Sequence, residues 1–357
     1  MAYTNIDDPS AYFQTTLYAG TGSAQSITND GNSDLQPDWI WIKRRDGSAD
    51  HNCFDSSRGA GAHLAQNQTQ AEQTVNGVTA FNSDGFTLST NGDSNYNTGT
   101  FAAWQWKANG GTTSSNTAGG TTTTVQANQD AGFSILTWTG NGATTTLGHG
   151  LGVEPEVIIQ KARGTTSNWA VYHKDAGPAV SQASYNVATY LNLSDATGIA
   201  SNSWGTAPSD INSNTFYLKY WFNYNTTNVA YCFASRQGYS KFGSYIGNGF
   251  ERGPFVYTGF RPAFIMTKRA DGTSGWFMQD IKRGIKNQDT NTPVLQANGN
   301  FSETDVGFTN YEIDFLSNGF KLRDSNLYVN ASGSPYIYMA FAENPFVTST
   351  GTPATAR

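Results

Sequence analysis

Four histidines and two cysteines are the side chains of this sequence most suited to metal, acid–base or nucleophilic chemistry. Cys53 and Cys232 form no Cys-x-x-Cys pair, and we predict that both are buried free thiols. The histidines form neither His-Glu-x-x-His nor another pair at metal-ligand spacing: His51, His63, His149 and His173. The sequence also lacks a Gly-x-Ser-x-Gly nucleophile elbow and a P-loop, so we predict no metal site and no cofactor.

Paired carboxylates are the remaining catalytic possibility, because a glycoside hydrolase needs only two of them at a suitable separation. Asp55 and Asp280 occupy equivalent places in two copies of the repeat described below, whereas His173 stands at the third place. A site in every copy would need matching acids, so we predict that the chain is not an enzyme. A glycan-cleaving activity stays as an alternative, and calcium binding is left open at the polar stretches "DGNSD" (30–34) and "NGDSN" (91–95).

Aromatic side chains supply a different kind of candidate site, because exposed tyrosine and tryptophan faces stack on the C–H surfaces of sugars. The stretch "FYLKYWFNYNTT" (216–227) places aromatic residues on both faces of a predicted strand, so they cannot all face one core. We interpret the surplus as a binding surface, either for a glycan or, the favoured interpretation, for a neighbouring repeat or subunit. The candidate binding residues are Tyr217, Tyr220, Trp221, Tyr224 and, from a separate Ser/Asn-rich stretch, Trp204.

A heptapeptide pattern, Pro-x-Φ-x-Φ-x-Lys with Φ apolar, occurs three times and provides the framework for these residues. The copies are 37–43, 155–161 and 262–268, and their alternation predicts β-strands. An aromatic residue and Gly-x-Gly precede each copy, while a Phe-x-Leu strand and a strand of small and aromatic residues follow it. This order of landmarks indicates a tandem triplication. We predict that Trp39 and Trp41 are buried in one inward row, at the positions equivalent to Val157 and Ile159 and to Phe264 and Met266.

The predicted fold class is all-β, with three tandem antiparallel β-sandwich units of jelly-roll or lectin-like type. Short strands rich in aromatic residues, 38 glycines and the lack of helical periodicity favour this class. The dipeptides Asp84-Gly85 and Asn318-Gly319 are typical of type I′ hairpin turns. The predicted division is an N-terminal arm (1–13), unit 1 (14–110), a Gly/Ser/Thr-rich linker (111–131), unit 2 (132–240), unit 3 (241–347) and a C-terminal tail (348–357). An edge strand at 121–125 within the linker is the alternative for that stretch.

Charge and hydropathy argue against two classes of partner. The net charge of −6 disfavours a nucleic-acid surface, which needs clustered lysine and arginine. No apolar run approaches the roughly 20 residues that cross a bilayer, so we predict no membrane partner. The N-terminus, "MAYTN", lacks the basic and apolar regions of a signal peptide, so we expect synthesis in a cytoplasm.

The motifs of the third copy resemble a family of virion proteins of marine tailed bacteriophages. They are "FGSYIGNG" (242–249), "PFVYTGFRPAFIMTKR" (254–269) and "FLSNGFKLR" (315–323), and the resemblance covers residues 14–347. Members of this family are found among tail and fibre genes, often in tandem copies, and are similar to lectin-type β-sandwiches. The resemblance implies a non-enzymatic structural protein located in the virion, with other virion proteins as partners, and it identifies no catalytic residue.

Within such a particle, the resemblance favours a tail fibre or adhesin whose partner is a polysaccharide of the host surface. The alternatives are a capsid decoration or head-fibre protein and a glycan-cleaving tailspike. Fibre proteins usually work as symmetric oligomers, and the aromatic surplus at 217–224 is suited to an inter-chain surface. We therefore expect a homo-oligomer, specifically a trimer.

Overall fold

The computed structural model describes residues 3–177, 186–199, 203–284, 293–303 and 311–353 of the chain. These residues form antiparallel β-sheets joined by turns, which confirms the predicted all-β class. The helices of this part are single turns: α1 (Gly92–Asn95), α2 (Leu327–Asn330) and the 3-10 segments Pro9–Ala11 and Pro208–Asp210.

The strands are short and follow the chain in three groups. The first group is β1 (Phe13–Ala19), β2 (Gln25–Ile27), β3 (Trp39–Arg44), β4 (Asn52–Asp55), β5 (Ala62–His63), β6 (Gln73–Thr74), β7 (Val78–Phe81), β8 (Phe86–Leu88) and β9 (Thr100–Trp106). The second is β10 (Ser114–Asn116), β11 (Thr123–Asn128), β12 (Phe133–Thr139), β13 (Thr145–Gly148), β14 (Val157–Ala162), β15 (Ala170–His173), β16 (Val187–Tyr190), β17 (Gly198–Ile199), β18 (Thr215–Leu218) and β19 (Thr227–Phe233). The third is β20 (Ser240–Ile246), β21 (Phe255–Tyr257), β22 (Phe260–Arg269), β23 (Trp276–Asp280), β24 (Leu295–Gln296), β25 (Ile313–Leu316), β26 (Gly319–Leu322) and β27 (Pro335–Pro345).

Each group builds one large sheet and one small sheet that packs against it, and the first group adds the two-stranded sheet β5-β6. The large sheets are sheet 1 (β1-β9-β3-β4), sheet 2 (β10-β11-β12-β19-β14-β15-β16-β17) and sheet 3 (β20-β27-β22-β23-β24). The small ones are cover 1 (β2-β8-β7), cover 2 (β13-β18) and cover 3 (β21-β26-β25). The strand with the proline–lysine pattern lies beside the last long strand of its group in all three sheets. This common order agrees with a triplication, although the division into three units itself stays a prediction.

The strand β3 is buried on both faces. Trp39 and Trp41 are each 1% exposed, which confirms their predicted burial, and both enter a core that the three large sheets share. Ile40 and Ile42 point the other way and pack beneath cover 1. A strand covered on both sides must be apolar at almost every position. The shared core also contains the corresponding residues of β14 and β22: Val157, Ile159, Phe264 and Met266.

The Gly-x-Gly landmarks form turns of one geometry after β1, β12 and β20. The second glycine has a positive φ in each, +69° at Gly22 and +71° at Gly142 and Gly249, a backbone conformation that favours glycine. A Cβ on the first glycine would lie 2.1 or 2.2 Å from a backbone oxygen. The N–H of the second glycine donates to the backbone oxygen of a buried asparagine: Asn95, Asn223 or Asn330.

The two predicted type I′ turns are wrong. Among the four residues concerned, φ is positive only at Gly85 and not at Asp84, Asn318 or Gly319. The hairpin of cover 3 turns one residue earlier than the dipeptide suggests, at 317–318, because Gly319 already pairs within β26. The glycine is needed there for space, since a Cβ on it would lie 2.1 Å from the backbone oxygen of the neighbouring strand β21.

Two segments predicted to lie outside the units are part of the packed structure. The predicted linker, 111–131, contributes β10 and β11 to sheet 2, with Val125 buried. Threonine is a good strand former because its β-branched side chain suits a pleated surface, so its abundance there favoured a strand over a linker. In the N-terminal arm, the buried Thr4 donates its hydroxyl to the Gln237 carbonyl at 2.7 Å, which ties the arm to the end of the second group.

Candidate functional site

Asp55, the first acid considered for catalysis, lies in a buried chain of ion pairs where sheet 2 meets sheet 1. Its carboxylate accepts hydrogen bonds from Arg58 Nε at 2.5 Å and from the Tyr231 hydroxyl at 2.6 Å. Arg58 also donates to Glu72, whose carboxylate pairs with Arg163 of sheet 2 at 2.7 Å. The side chains of Asp55 and Arg58 are fully buried, so this acid joins two sheets and does not face solvent.

Asp280 has the same setting where sheet 1 meets sheet 3. Its carboxylate accepts from Arg283 Nε at 2.5 Å and from Trp104 Nε1 of sheet 1 at 3.0 Å. Arg283 donates to Glu303, which pairs with Arg45 of sheet 1 at 3.0 Å. Asp55 and Asp280 therefore link neighbouring sheets through buried hydrogen bonds to side chains of the same chain.

The third junction, between sheets 3 and 2, has neutral side chains at the corresponding positions. His173 is buried, and its Nδ1 accepts from the Asp175 N–H at 3.1 Å, so Nε2 carries the proton and donates to the Tyr338 carbonyl at 3.1 Å. Burial lowers the pKa of His173 to about 4, which makes the ring neutral at pH 7. Ala176 and Ala270 occupy the places where the other two junctions have arginines.

The cysteines are buried, and the other potential metal ligands of the described residues form no cluster of three. Cys53 and Cys232 are buried and free, and burial raises the pKa of the Cys53 thiol to about 11. A thiol with that pKa is almost entirely protonated at pH 7 and is a weak nucleophile. In the described part of the chain, no three histidine, cysteine, aspartate or glutamate side chains cluster around a common point that a metal ion would occupy. No helix in that part has the length and apolarity needed to cross a bilayer.

A cleft of about 280 Å³ between sheets 1 and 3 contains two carboxylates near its surface. Asp30 forms an ion pair with Lys282 at 2.8 Å, and Glu343 forms one with Arg261 at 3.0 Å. Both acids already have a basic partner, and this pairing favours a structural role for them over a role as a general acid and a nucleophile.

Turn 2, which comprises residues 219–223, carries the most exposed part of the predicted aromatic surface. The N–H groups of Phe222 and Asn223 both donate to the Lys219 carbonyl, which closes a single helical turn directly after β18. Phe222 points into the core beneath cover 2, Trp221 packs against the margin of that core, and Tyr220 is exposed. Tyr220 and Trp221 therefore lie on a turn and not on the two faces of a strand.

Tyr220 and Trp221 form an aromatic pair at the surface of turn 2. Tyr220 is 52% exposed, and its ring meets the partly buried Trp221 ring edge-on with centroids 4.9 Å apart. The Lys219 ammonium lies 5.5 Å from the centre of the Trp221 ring, a cation–π contact. Aromatic faces beside hydrogen-bond donors are the combination that sugar rings require.

The other candidate residues occupy different positions. Trp204 is 0% exposed, in a core formed with Tyr172, Phe216 and Phe222, so neither face of its ring is available to a ligand. Tyr217 lies on β18 and Tyr224 follows turn 2, and both are partly buried. Burial raises the pKa of Tyr224, which remains a neutral hydroxyl near pH 7. The structure thus brings Tyr220 and Trp221 together, leaves Tyr217 and Tyr224 partly covered, and places Trp204 in the interior.

A second apolar turn was missed by the sequence reasoning. Turn 3 comprises residues 326–330 and includes α2, and it exposes Leu327 (65%) and Tyr328 beside the exposed Phe250. The sequence contains a pattern that predicts this turn, because "YWFN" (220–223) and "LYVN" (327–330) both have three apolar residues before a buried asparagine.

Comparison with known proteins identifies a family for this chain but does not identify an activity. The family described as "Domain of unknown function (DUF7483)" matches residues 8–345, which is nearly the whole chain. Neither the curated proteins nor the solved structures include a significant match.

Proposed function

Because the chain belongs to the DUF7483 family, whose description assigns no activity, we propose its function from its surface: it is a non-enzymatic structural protein of a tailed-phage particle, in a tail fibre or adhesin that binds host-surface saccharides. The observation that carries this proposal is the Tyr220–Trp221 pair on turn 2. Contiguous apolar side chains at a surface often mark an interaction site, and these two rings are in contact with each other.

The geometry of turn 2 suits a saccharide. A sugar ring presents an apolar C–H face and a rim of hydroxyl groups, so it needs an aromatic ring and nearby donors. Tyr220 and Trp221 supply the rings, and the Lys219 ammonium supplies a donor near the Trp221 ring. Partial burial of Trp221 against the core beneath cover 2 fixes the ring before a ligand arrives, which lowers the entropy cost of binding.

The interior supports the same role by making the molecule rigid. The three large sheets share one core and are joined by buried hydrogen bonds such as Tyr231 to Asp55 and Trp104 to Asp280. Turn 2 is therefore held at a fixed position in the molecule. Weak sites at fixed positions gain avidity when the ligand is a surface with many copies of the same saccharide.

A binding assay on bacterial envelopes and an array of bacterial surface polysaccharides tests the proposal. We expect the purified chain to bind without releasing oligosaccharides, and we expect the double variant Tyr220→Ala/Trp221→Ala to lose the binding. The matched control is Tyr96→Ala, which removes an exposed tyrosine of the first group. Release of oligosaccharides would instead identify a glycan-cleaving tailspike, and absence of binding to every envelope and polysaccharide would overturn the proposal.

The assembly and the place in the particle are separate parts of the proposal. We propose a trimer with other virion proteins as neighbours, because turn 3 leaves apolar residues available to a contact between chains. Light scattering on the purified chain measures the first part, and a monomer would contradict it. Cryo-electron microscopy of the particle measures the second, and density on the capsid would replace the adhesin by a decoration or head-fibre protein.

A further inference from the structure

A groove of about 360 Å³ lies between the edge of sheet 3 and the edge of cover 3. Its two long sides are β20 and β21, which are the outermost strands of their sheets. Lys174 and Asp175, which follow β15 of sheet 2, close one end. Three separate elements of the chain thus meet in one open concavity.

The floor of the groove contains a hydroxyl without a partner. Tyr338 is 3% exposed, lines the groove, and its hydroxyl has no hydrogen-bond partner among the described residues. Gly243 opens the way to it, because a Cβ at that position would lie 2.8 Å from the hydroxyl oxygen. Burial raises the pKa of Tyr338, so the hydroxyl stays protonated and able to donate. Because no hydrogen bond within the described residues occupies this hydroxyl, it is available to a hydroxyl group of a ligand in the groove.

The wall of the groove is aromatic. Phe255 and Tyr257 alternate along β21 with the buried Val256, and they are 45% and 48% exposed. The Phe255 ring lies against Gly319 of the neighbouring strand, where a Cβ would come within 3.0 Å of it. The tip of the Phe255 ring is therefore supported by the Gly319 backbone, while much of the side chain stays exposed to a ligand.

The charges around the groove balance one another. Lys174 forms an ion pair with Glu156 at 2.6 Å, and Asp175 and Lys241 contribute one further charge of each sign. A ligand with a carboxylate or an amine would gain little net attraction here. A neutral ligand with hydroxyl groups would meet aromatic side chains, the Tyr338 hydroxyl and the Lys241 ammonium.

A peptide strand is the competing occupant, because both sides of the groove are sheet edges. Lys241 argues against it. Its ammonium donates to the Tyr257 carbonyl at 3.1 Å and lies 5.3 Å from the Tyr257 ring centre, so the side chain crosses from β20 to β21. This cross-link occupies a backbone acceptor that an added strand would need.

We propose that the groove between β20 and β21 is a binding site for a neutral saccharide, with Phe255 as the stacking surface and the Tyr338 hydroxyl as a polar contact. The site is distinct from turn 2. The proposal rests on the proposed saccharide-binding function and names both a second site and its ligand class.

Saturation-transfer NMR with methyl glycosides of glucose, galactose, mannose and N-acetylglucosamine tests the proposal on the full chain. We expect at least one to bind, Phe255→Ala to abolish its binding, and Tyr338→Phe to weaken it about tenfold through one lost hydrogen bond. Tyr338→Phe removes only an unpaired hydroxyl, so its melting temperature should equal that of the parent chain. The control Tyr220→Ala/Trp221→Ala should keep the glycoside binding.

Failure here is distinguishable from failure of the proposed function. Binding of envelopes through turn 2 with no response to any glycoside would overturn the groove and leave the adhesin. Glycoside binding that Phe255→Ala abolishes, without any envelope binding, would overturn the adhesin and leave the groove. Glycoside binding that survives both groove variants, stronger binding of a methyl uronoside, or binding of an extended peptide in the groove would overturn the proposal.

Discussion

Trp41 and Trp221 carry the same indole ring in opposite settings. Trp41 lies in the shared core and donates Nε1 to His51 Nδ1 at 2.7 Å, whereas Trp221 lies on turn 2 between Tyr220 and the Lys219 ammonium. The first ring has every contact supplied by the chain. The Trp221 ring is only partly covered by the chain and can contact a ligand. The stability of the chain should therefore depend on Trp41, and its binding on Trp221.

The three junctions between the large sheets differ in the charge of their buried side chains. Two of them contain a buried carboxylate with an arginine, Asp55 with Arg58 and Asp280 with Arg283, and the third contains the neutral His173. A buried ion pair loses much when one partner is removed, because the other charge stays in the interior. A buried neutral histidine contributes to the free energy of unfolding until the pH is low enough to protonate it.

The largest effect on the interior is expected for Trp39→Ala. Trp39 stacks on Trp106 at 4.4 Å and on Tyr231 at 4.5 Å, so the cavity would open between two sheets. We expect a loss of about 5 kcal/mol in the free energy of unfolding, at the upper end for removal of a buried aromatic side chain. Urea denaturation measures it, and a loss under about 1 kcal/mol would show that the shared core does not hold the sheets together.

The next effect concerns the charged junction. Asp280→Ala leaves Arg283 buried with Glu303 as its carboxylate partner, and we expect a loss of about 3 kcal/mol in the free energy of unfolding. The control is Asp271→Ala, which removes an exposed ion pair with Arg269 and should cost less than about 1 kcal/mol. Equal losses in urea denaturation would contradict the distinction between buried and surface pairs.

The neutral junction should weaken in acid. The folded pKa of His173 is about 4 and lies below the ordinary value of 6.5, so the unfolded chain binds the proton more readily between these two values. Its contribution is complete above pH 6.5 and decreases as the pH falls towards 4, by up to about 3 kcal/mol. The charged side chains around the ring are Asp175, Lys174 and Glu156.

The variant His173→Asn separates this contribution from that of the other buried histidines. Thermal unfolding from pH 7 to pH 4 should show a smaller loss of stability in the variant than in the parent chain. Identical pH profiles would mean that His173 is protonated in the folded chain without cost.

The smallest effect on stability is expected at the surface. Tyr220→Ala should change the free energy of unfolding by less than about 0.5 kcal/mol, because more than half of the side chain is already in water. A loss above about 2 kcal/mol in urea denaturation would place Tyr220 among the structural residues and remove it from the site.

Local patterns in the sequence predicted the local structure well. Alternation over 37–43 gave the buried pair Trp39 and Trp41, and the Gly-x-Gly spacing gave turns, because both depend on the backbone of a few neighbouring residues. The dipeptide Asn318-Gly319 failed because the strand begins at the glycine, where the neighbouring β21 backbone leaves no room for a side chain.

Features that depend on packing between distant segments were not predictable in the same way. Trp204 lies in a polar stretch of sequence and was therefore predicted to be a binding residue. It is instead part of the core beneath cover 2, whose residues come from segments that are far apart in the chain. The groove beside Phe255 and Tyr338 arises because two sheet edges meet, and these residues are 83 positions apart in the chain. Its aromatic alternation was visible in the sequence, whereas the unpaired hydroxyl beneath it was not.

The most direct test of the account is to compare the parent chain, Tyr220→Ala/Trp221→Ala and Tyr96→Ala for binding to bacterial surface polysaccharides, with the melting temperature and the release of oligosaccharides measured on the same samples. The account predicts that the double variant melts within a few degrees of the parent chain but does not bind the polysaccharides. It also predicts that no sample releases oligosaccharides. Full binding by the double variant, or cleavage of the polysaccharide by the parent chain, would contradict the claim that this protein holds saccharides on an exposed aromatic turn without acting on them.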